Sequence, residues 1–390
     1  MRDLIEIARE LIRTPSLSGE EREITYLIRD LLGEYGVDKV FIDEYGNVIG
    51  VRKGDLGGSI VFEGHMDHVP PGDPSNWKYD PYGAVVVDNK VYGRGAVDMK
   101  GAIASMIYSI KDLRDKDIPS TYYVFVPYEE ISEGTLFGKA LEETLGIKPD
   151  LVVLGEATNL NLHRGHRGRA VIETVFHGVS AHASMPDQGL NALKALSKFI
   201  DLLTRYSDKL PYHSILGRSS VEPTVVDCSP RSPPMIPDLC RLMIDYRMVV
   251  SETRDSIVAY LETIAKTLVN EGLVIDIEIS IAVEEAVMWT GKHVSIEHYY
   301  PPWINEDHDL LEKILGIIRE HRPCATLGVW RFSTDGVYSA GKAGVPTIGV
   351  GPGMEELAHK PNEYVVLGDL EIASRIYTGI VHGFREIITR

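Results

Sequence analysis

The sequence contains few of the features that mark several large classes of protein. It has only three cysteines in 390 residues, Cys228, Cys240 and Cys324. They are odd in number and lack the spacing of zinc ligands, so reduced thiols in a cytoplasmic setting are the simplest interpretation. No window approaches the roughly 18 apolar residues of a membrane span. The N-terminal segment carries charges throughout, which argues against a signal peptide.

Basic residues are also scarce relative to acidic ones. The chain has 40 Lys and Arg against 57 Asp and Glu, a formal net charge of -17. Nucleic acids and anionic membranes select for clustered Lys and Arg, so we expect neither as a partner. A content of 44% hydrophobic and 25% charged residues is that of a globular protein with ample core. The length favours two domains.

The hydrophobic pattern changes twice along the chain. In residues 1–169 apolar strands alternate with helical patterns, which predicts an α/β fold with a largely parallel, doubly wound sheet. Residues 170–285 follow the order β-α-β-β-α-β of a ferredoxin-like α+β sandwich. The α/β pattern resumes in residues 286–390. The sequence therefore predicts a discontinuous main domain, 1–169 and 286–390, with a second domain, 170–285, inserted into it.

Two details of the inserted domain are specific enough to compare with a structure. Its first helix has Leu193, Leu196, Ile200 and Leu203 at helical spacing, which predicts that they share one buried face. Its second helix is followed by Gly272, a residue suited to ending a helix.

Acidic residues and one histidine follow the predicted strands of the main domain. In chain order they are His65, Asp67, Asp98, Glu129, Glu130 and Glu156. Each has an ordinary structural alternative: Asp98 could cap a helix, and the glutamate pair could simply face solvent. Glu129 and Glu130 end the predicted strand in "YVFVPYEE", where alternation would send the two carboxylates in different directions.

The spacing of these residues favours a common site. His65 to Asp98 is 33 residues, Asp98 to Glu130 is 32, and Glu130 to Glu156 is 26. One βαβ step takes about 30 residues, so we expect the residues at the same carboxyl edge of the sheet, where doubly wound folds place their sites. Such a set suits zinc or a similar ion. His359, in a Gly- and Pro-rich loop, would supply a second imidazole, unless it is a surface histidine.

Five segments then resemble one metallohydrolase family. "GHMDHVP", "GRGAVDMKG", "YEEISEG", "GEAT" and "AHKPNEYV" are similar, in this order, to the signatures of the co-catalytic di-zinc family of acetylornithine deacetylase, succinyl-diaminopimelate desuccinylase, aminoacylase and carboxypeptidase G. The similarity runs from about residue 60 to residue 365. The stretches "GDPSNWKYDPYGA" and "KPDLVVLGEATNLNLHRGHRGRA" look most like a bacterial and archaeal subgroup of acetylornithine deacetylase-like hydrolases.

The resemblance implies a pair of divalent metal ions, zinc first and cobalt or manganese as alternatives. His65 and Glu156 would bind one ion, Glu130 and His359 the other, and Asp98 would bridge both. The peptide bond after the bridging aspartate, Asp98–Met99, would be cis. The main domain would then be the di-metal catalytic domain.

The resemblance also implies roles for residues that are not metal ligands. Asp67 would orient the imidazole of His65, and Glu129 would be the general base for a water molecule. The inserted domain would be a lid and dimerisation domain, whose His182 stabilises the oxyanion in the active site of the partner subunit of a homodimer. A strand-end position on a dimer surface is the structural alternative for His182.

Further positions would contact the substrate. Arg247 and Asn191 of the lid would hold a carboxylate, although an exposed ion pair is an alternative for Arg247. Gly351 and Gly353 would offer backbone groups near the substrate. The chain departs from the family pattern at Tyr246, where the nearest relatives tend to have arginine, which bears on substrate specificity.

These features predict a zinc-dependent hydrolase that cleaves an amide bond of a small N-acyl amino acid or dipeptide. Two alternatives remain open. A two-metal phosphoesterase uses similar ligands, although the chain has no Walker-type loop. A non-enzymatic metal-binding protein would be expected to have lost the base or a ligand, whereas Glu129 and all five ligands are present.

Overall fold

The computed structural model describes residues 1–388. The α-helices are, in chain order, Leu4–Arg13 (α1), Arg22–Tyr35 (α2), Gly101–Ser109 (α3), Glu129–Ser132 (α4), Thr135–Lys139 (α5), Ala192–Tyr206 (α6), Arg254–Asn270 (α7), His308–His321 (α8), Leu367–His382 (α9) and Phe384–Ile387 (α10). None of the helices in this described part of the chain has the length and apolar content needed to cross a bilayer.

The strands are short and numerous. In chain order they are Lys39–Ile42 (β1), Val48–Arg52 (β2), Ser59–His65 (β3), Val85–Val87 (β4), Lys90–Tyr92 (β5), Ser120–Val126 (β6), Leu151–Leu154 (β7), Leu162–His163 (β8), Gly165–His166 (β9), Gly168–His177 (β10), Tyr212–His213 (β11), Gly217–Arg218 (β12), Ser220–Ser229 (β13), Leu239–Met248 (β14), Asp276–Ile281 (β15), Val283–Val287 (β16), His293–Glu297 (β17), Tyr299–Tyr300 (β18), Trp303–Ile304 (β19), Leu327–Gly328 (β20), Thr347–Gly349 (β21) and Tyr364–Val366 (β22).

The described chain forms two compact units. The first comprises Met1–His166, Ala286–Val294 and Ile304–Arg390, and the second comprises Arg167–Glu285 and Ser295–Trp303. The second unit thus takes in a short segment near residue 300 that lies beyond the inserted range inferred from the sequence. The segment belongs there because β18 pairs with β10.

The first unit is built on an eight-stranded sheet in the order β1-β2-β6-β3-β7-β21-β8-β20. Its centre is parallel, since β3 pairs in parallel with β6 on one side and β7 on the other, and β7 pairs in parallel with β21. β7 is buried along its whole length and β3 along all but its first residue, as expected for strands covered by helices on both faces. The predicted fold class is confirmed for this unit.

The second unit contains an antiparallel sheet in the order β13-β14-β10-β15. With β10, β13, β14 and β15 as strands 1 to 4, this is the 2-3-1-4 order of a ferredoxin-like sandwich, and α6 and α7 pack against the sheet. The predicted α+β fold of the inserted domain is therefore also confirmed.

The helices of the second unit agree with one of the two detailed predictions. Gly272 follows the end of α7 with φ of 69°, a left-handed conformation that glycine adopts without strain. The predicted buried face of α6 is wrong at Leu193, which is 45% exposed. The buried face is instead formed by Ala192, Ala195, Leu196, Phe199 and Leu203, whose spacing follows the helical period.

The expectation of three reduced cysteines is wrong for two of them. Cys228 on β13 and Cys240 on β14 are directly opposite in the antiparallel register and form a disulfide bond. Cys324 is free and exposed. The sequence could not indicate this bond, because the pairing follows from the register of two strands joined by a loop of irregular structure.

The disulfide makes a simple prediction about thiol content. Denatured but unreduced protein should incorporate one equivalent of an alkylating reagent, at Cys324, and reduced protein should incorporate three. Intact-mass spectrometry gives both counts, and peptide mapping locates the labels. Three labels before reduction would show that Cys228 and Cys240 are thiols in the isolated protein.

Candidate metal centre

The predicted site residues converge at one edge of the large sheet. His65 is the last residue of β3, and Glu156 lies two residues beyond β7. Glu129 and Glu130 follow β6 after a two-residue turn. Because β6, β3 and β7 are neighbours and parallel, their carboxyl ends meet at the same edge, as the spacing of these residues predicts.

Asp98 lies between the two imidazoles. Nε2 of His65 is 2.8 Å from Oδ1 of Asp98, and Nε2 of His359 is 3.1 Å from Oδ2 of the same carboxylate. Nε2 of His65 is also 3.6 Å from Oε1 of Glu156. Nε2 of His359 is 3.1 Å from a carboxylate oxygen of Glu130. One carboxylate thus faces two His–Glu pairs, one on each side.

Two sets of ligand atoms are close enough together to share a cation. One set comes from His65, Glu129 and Glu156 and the other from His65, Asp98 and Glu130, and within each set the atoms lie within 4.8 Å of one another. All the side chains in these two sets are buried or nearly so. We refer to His65, Asp98, Glu129, Glu130, Glu156 and His359 as the carboxylate–imidazole cluster.

The cluster carries an excess of negative charge. Burial, together with the neighbouring carboxylates, raises the pKa of Glu129 and of Glu156 well above the usual range of a carboxyl group. Hydrogen bonds to Asp98 and Glu130 raise the pKa of His359 to about 10. Burial opposes ionisation of Asp98 as well, but its hydrogen bonds with both imidazoles lower its pKa.

The cluster fits divalent cations in three respects. The charge of two dications is equal in size and opposite in sign to that of four carboxylates, so two such ions would offset the repulsion between Asp98, Glu129, Glu130 and Glu156. Oε2 of Glu156 is buried and makes no hydrogen bond. Nδ1 of His65 lies 3.0 Å from the carbonyl oxygen of Asp67, which can only accept, so Nδ1 is a donor. Nε2, which faces Asp98 at 2.8 Å, would be the ligand atom, with a metal ion in place of its proton.

The backbone around Glu129 and Glu130 differs from the prediction. They do not extend the strand, because β6 ends at Val126 and the two glutamates begin the short helix α4. Tyr128 turns the chain with φ of 60°. The two carboxylates still leave the backbone in different directions, since successive residues of a helix are rotated by about 100°.

Asp67 contacts more than the imidazole that it was predicted to orient. Its carboxylate oxygen is 3.5 Å from Nδ1 of His65, farther than its own carbonyl oxygen. The carboxylate accepts hydrogen bonds from the amides of Glu129 and Glu130, at 3.0 and 3.2 Å. Asp67 therefore connects the ligand at the end of β3 with the turn that carries the two glutamates.

Sequence reasoning assigned no role to Glu363, although it lies in the "AHKPNEYV" motif. Its buried carboxylate forms a 2.6 Å ion pair with Arg94. It also accepts hydrogen bonds from the amides of Val97 and Asp98, at 2.7 and 3.2 Å. The Asp98–Met99 peptide bond is cis, as the resemblance implies. Glu363 thus holds the loop of Asp98 from the segment that follows His359.

A second pair of acids behind the cluster was also missed. Glu63 on β3 is buried beside Asp335, and Asp335 accepts a hydrogen bond from the amide of Gly134. Burial, followed by the charge of Asp335, raises the pKa of Glu63 well above the usual value. The sequence did contain a signal for this pair, the acidic residue within the apolar run "SIVFEGH". Glutamate is rarely fully buried without a partner, so Glu63 in a buried strand indicates that a partner lies nearby.

The two glycines predicted to face the substrate are largely occupied by backbone hydrogen bonds. The carbonyl of Gly351 accepts from the amide of Leu160 at 3.0 Å, and its amide donates to Oγ1 of Thr158 at 3.1 Å. The carbonyl of Gly353 accepts from the amide of Asn159 at 2.7 Å. These contacts fix the loop that follows Glu156, and a substrate contact of either glycine stays a prediction.

Within the second unit, the predicted lid residues have defined local surroundings. Nδ1 of the exposed His182 accepts a hydrogen bond from the amide of Ser184 at 3.2 Å. Asn191 is the N-cap of α6, and its Oδ1 accepts from the amides of Leu193 and Lys194. Arg247 donates to Asp245 at 2.7 Å. Asp245 also accepts from Arg169 at 2.9 Å.

Tyr246, the departure from the family pattern, belongs to the core of the second unit. Its side chain is almost fully buried, and its hydroxyl donates to Oε1 of Glu252 at 2.6 Å. Its neighbour Arg247 lies on the opposite face of β14 because side chains alternate along a strand. The tyrosine at position 246 therefore belongs to the core of this unit, and it does not alter the face of β14 that carries Arg247.

We expect Tyr246→Phe to lower stability with little effect on KM. Removing the hydroxyl leaves a buried oxygen of Glu252 without its donor, which costs about 1–3 kcal/mol. Chemical denaturation measures the loss, and Tyr212→Phe, at a position that is 65% exposed, is the matched control. A large rise in KM at unchanged stability would instead place Tyr246 in substrate recognition.

Comparison with known proteins agrees with this geometry. The chain is 30% identical over 383 residues to the uncharacterized protein YgeY of Escherichia coli, covering 97% of this chain and 93% of that protein. It is 27% identical to the acetylornithine deacetylase of Erwinia tasmaniensis, with 98% of each covered. An M20 family metallo-carboxypeptidase from Sulfolobus solfataricus has the same fold, with a TM-score of 0.75 at 17% identity over 98% of this chain and 99% of that one.

The fold and the carboxylate–imidazole cluster define a metal-dependent hydrolase. The model of the peptidase family M20/M25/M40 matches residues 61–383. The chain belongs to this family, and the predicted family resemblance is confirmed. Its reaction class is the hydrolysis of amide bonds in small substrates.

Proposed function

We propose that the protein is a zinc-dependent hydrolase that releases an amine from a small N-acyl amino acid or a dipeptide. The observation that carries the proposal is the carboxylate–imidazole cluster, in which Asp98 lies between a His65–Glu156 pair and a His359–Glu130 pair. A deacetylase among the relatives and a carboxypeptidase among the structures of the same fold support small amides as substrates.

His65, Asp98 and Glu156 would hold one ion, and His359, Asp98 and Glu130 the other. When bound, the ions would activate a water molecule and polarise the amide carbonyl. Zinc is the first choice because the set combines imidazole nitrogen with carboxylate oxygen, and cobalt and manganese accept similar ligands. The ligands belong to the proposed catalytic domain, residues 1–169 and 286–390.

Glu129 acts as general base and then as general acid. It takes a proton from the attacking water and returns it to the leaving amine, so that the amine departs neutral. Burial raises the pKa of this carboxyl group, which makes its carboxylate form a stronger acceptor for the proton of water and lets the group hold that proton until the amine leaves. The hydrogen bond from its amide to Asp67, together with the turn at Tyr128, orients it.

His182 donates a hydrogen bond to the oxyanion of the tetrahedral intermediate. Its tautomer supports this role. The amide of Ser184 can only donate, so Nδ1 of the neutral ring is an acceptor, and Nε2 carries the proton. An exposed Nε2–H is then available to an oxygen of the substrate. We further propose that this donor acts in the active site of the partner subunit.

Arg247 recognises the carboxylate of the substrate. Asp245 accepts from its guanidinium at 2.7 Å, which orients the planar group, and a guanidinium suits the recognition of a carboxylate. Asn191 contributes through its amide nitrogen, because its Oδ1 is already used to cap α6. A contact of the substrate with the backbone of Gly351 or Gly353 stays a prediction, since the carbonyl groups of both already accept hydrogen bonds within the chain.

We propose a homodimer formed through the domain of residues 170–285. A cytoplasmic location stays a prediction, because the disulfide bond between Cys228 and Cys240 removes the argument from reduced thiols. A dimer would bring His182 of one subunit to the active site of its partner. Sedimentation velocity on the purified protein should give about twice the mass of 43.4 kDa. A monomer that retains full activity would contradict a shared active site.

A substrate panel tests the proposed reaction. N-acetyl and N-succinyl amino acids and dipeptides are offered to the protein loaded with zinc, cobalt or manganese, and amine release is followed. We expect hydrolysis of at least one N-acyl amino acid or dipeptide that has a free carboxylate, and none of its amidated analogue. Hydrolysis of a chromogenic phosphate ester alone would favour a phosphoesterase, and no hydrolysis of any kind would favour a metal-binding protein without activity.

A further inference from the structure

Three successive backbone amides at the start of α4 each meet a carboxylate oxygen. The amide of Tyr128 donates to Oε1 of Glu21 at 3.0 Å. The amides of Glu129 and Glu130 donate to the two oxygens of Asp67, at 3.0 and 3.2 Å. Amides at the start of a helix have no partner within the helix. Two buried acids supply those partners here, and we call Glu21 and Asp67 the carboxylate cradle.

The turn of residues 128–130 needs the hydrogen bonds of the carboxylate cradle because its own backbone conformation is unfavourable. Tyr128 has φ of 60°, a left-handed conformation that costs free energy for a residue with a side chain. α4 has only four residues, and no side chain of its own caps it. The direction in which the carboxylates of Glu129 and Glu130 point is therefore set by what holds the amides.

One member of the cradle comes from the N-terminal part of the chain. Glu21 occupies the N-cap position of α2, yet its side chain makes no capping bond to that helix. It turns instead toward the amides of Gly19 and Tyr128, and both bonds use the same oxygen, Oε1, at 2.7 and 3.0 Å. The side chain thus serves the glutamate turn and not the helix that it precedes.

The same segment also fixes the other member of the cradle. Oγ of Ser18 donates to Oδ2 of Asp67 at 2.7 Å, on the oxygen that receives the amide of Glu130. Ser16 anchors the segment nearby, because its amide donates to Nε2 of His68 at 3.0 Å. Residues 16–21 therefore attach to the end of β3 and to the turn after β6.

We propose that Ser18 and Glu21 are positioning residues that aim the general base Glu129 and the ligand Glu130 through the carboxylate cradle. The segment precedes residue 61, where the match to the family model begins, so the family assignment gives it no role. This inference rests on the proposed function, because it takes Glu129 as the base of that reaction.

The expected effect is on turnover. A misplacement of about 1 Å in a catalytic group can cost about 100-fold in rate. We expect Glu21→Ala to lower kcat by about 10- to 100-fold, with KM changed by less than about threefold, because the substrate contacts lie elsewhere. Ser18→Ala removes one of two donors to a single oxygen, so we expect a smaller loss, about two- to tenfold.

The experiment compares four variants of the full-length, zinc-loaded protein. Glu21→Ala removes the oxygen that holds Tyr128, whereas Glu21→Gln keeps an acceptor oxygen at the position of Oε1 and should retain kcat within about threefold. Glu20→Ala is the matched control, since Glu20 is the exposed neighbour of the same type. Ser18→Ala tests the second contact.

Amide hydrogen exchange supplies a measurement independent of activity. In metal-free protein, peptides that cover residues 127–134 should exchange faster in Glu21→Ala and Ser18→Ala than in wild type, Glu21→Gln or Glu20→Ala. Zinc titration of each variant accompanies it, so that kcat is compared at full occupancy. Hydrogen exchange and zinc titration together distinguish a displaced glutamate turn from a general loss of stability.

Each outcome decides the inference. Lower kcat with faster exchange in Glu21→Ala, both restored in Glu21→Gln, supports it. Wild-type kcat in Glu21→Ala, or a loss in Glu21→Gln as large as in Glu21→Ala, overturns it. If Glu21→Ala does not fold, unchanged kcat and exchange in Ser18→Ala overturn it. Wild type without amide hydrolysis would instead refute the proposed function, whatever the exchange data show.

Discussion

Glu129→Gln is expected to remove nearly all activity while the protein keeps its fold and its metal ions. Glutamine has the same shape but cannot take up a proton from water, and a general base contributes about 100- to 10,000-fold to such reactions. Glu129 is held by its amide and not by its carboxylate, so the backbone contact survives the change. We therefore expect kcat to fall by about two to four orders of magnitude, with KM little altered.

The matched control is Glu23→Gln, which makes the same chemical change at an exposed position of α2. Zinc content, measured by elemental analysis, should be the same in wild type and both variants. Full activity of Glu129→Gln would show that another group is the base. Loss of zinc together with activity would show that Glu129 is itself a ligand, which its proximity to His65 and Glu156 also permits geometrically.

Asp98→Ala is expected to prevent the binding of both metal ions. Its two oxygens lie 2.8 and 3.1 Å from Nε2 of His65 and His359, so its carboxylate lies between the two halves of the cluster. Without Asp98 each ion would lose one ligand, and no carboxylate would remain at the bridging position. We expect zinc bound per chain to fall from two to fewer than one, and activity to become undetectable.

Isothermal titration with zinc measures this change, and Asp115→Ala, an exposed aspartate, is the control. Binding of two ions with unchanged affinity by Asp98→Ala would exclude Asp98 as a bridge. Loss of only one ion would assign Asp98 to a single metal site. The variant should fold, because the loop of Asp98 is held by Glu363 through backbone amides that alanine retains.

The fold and the convergence of the cluster were predictable from the sequence for a physical reason. Apolar strands separated by helical patterns specify a parallel sheet, and residues placed about 30 positions apart after such strands must meet at its carboxyl edge. His65 and Glu156 lie at or just past the ends of β3 and β7, as this rule requires. His359 was predicted as the second imidazole from its Gly- and Pro-rich loop, and its pairing with Glu130 from the family resemblance.

What the sequence did not indicate are contacts made at long range by backbone groups. Glu21 binds an amide 107 residues away, and Glu363 binds amides more than 260 residues away. No local pattern encodes such pairings, because they depend on how separate loops meet. The same limit applies to the bond between Cys228 and Cys240, whose partners face each other only once β13 and β14 are in register.

For Glu129 and Glu130, the predicted divergence of the two carboxylates agrees with the structure, but the predicted cause, strand alternation, is wrong. Strand alternation predicted diverging carboxylates, but the residues begin a helix after Pro127 and a left-handed Tyr128. Proline restricts the residue before it and cannot donate to a strand ladder, so the strand ends one residue earlier. The divergence instead follows from helical rotation.

The central claim is that the carboxylate–imidazole cluster holds two divalent ions that together support amide hydrolysis. Stepwise addition of zinc to metal-free protein, with amine release from the best substrate of the panel measured at each step, tests it most directly. We predict that the rate rises and reaches its plateau at two zinc ions per chain. A plateau at one ion, or full activity in the metal-free protein, would contradict the claim.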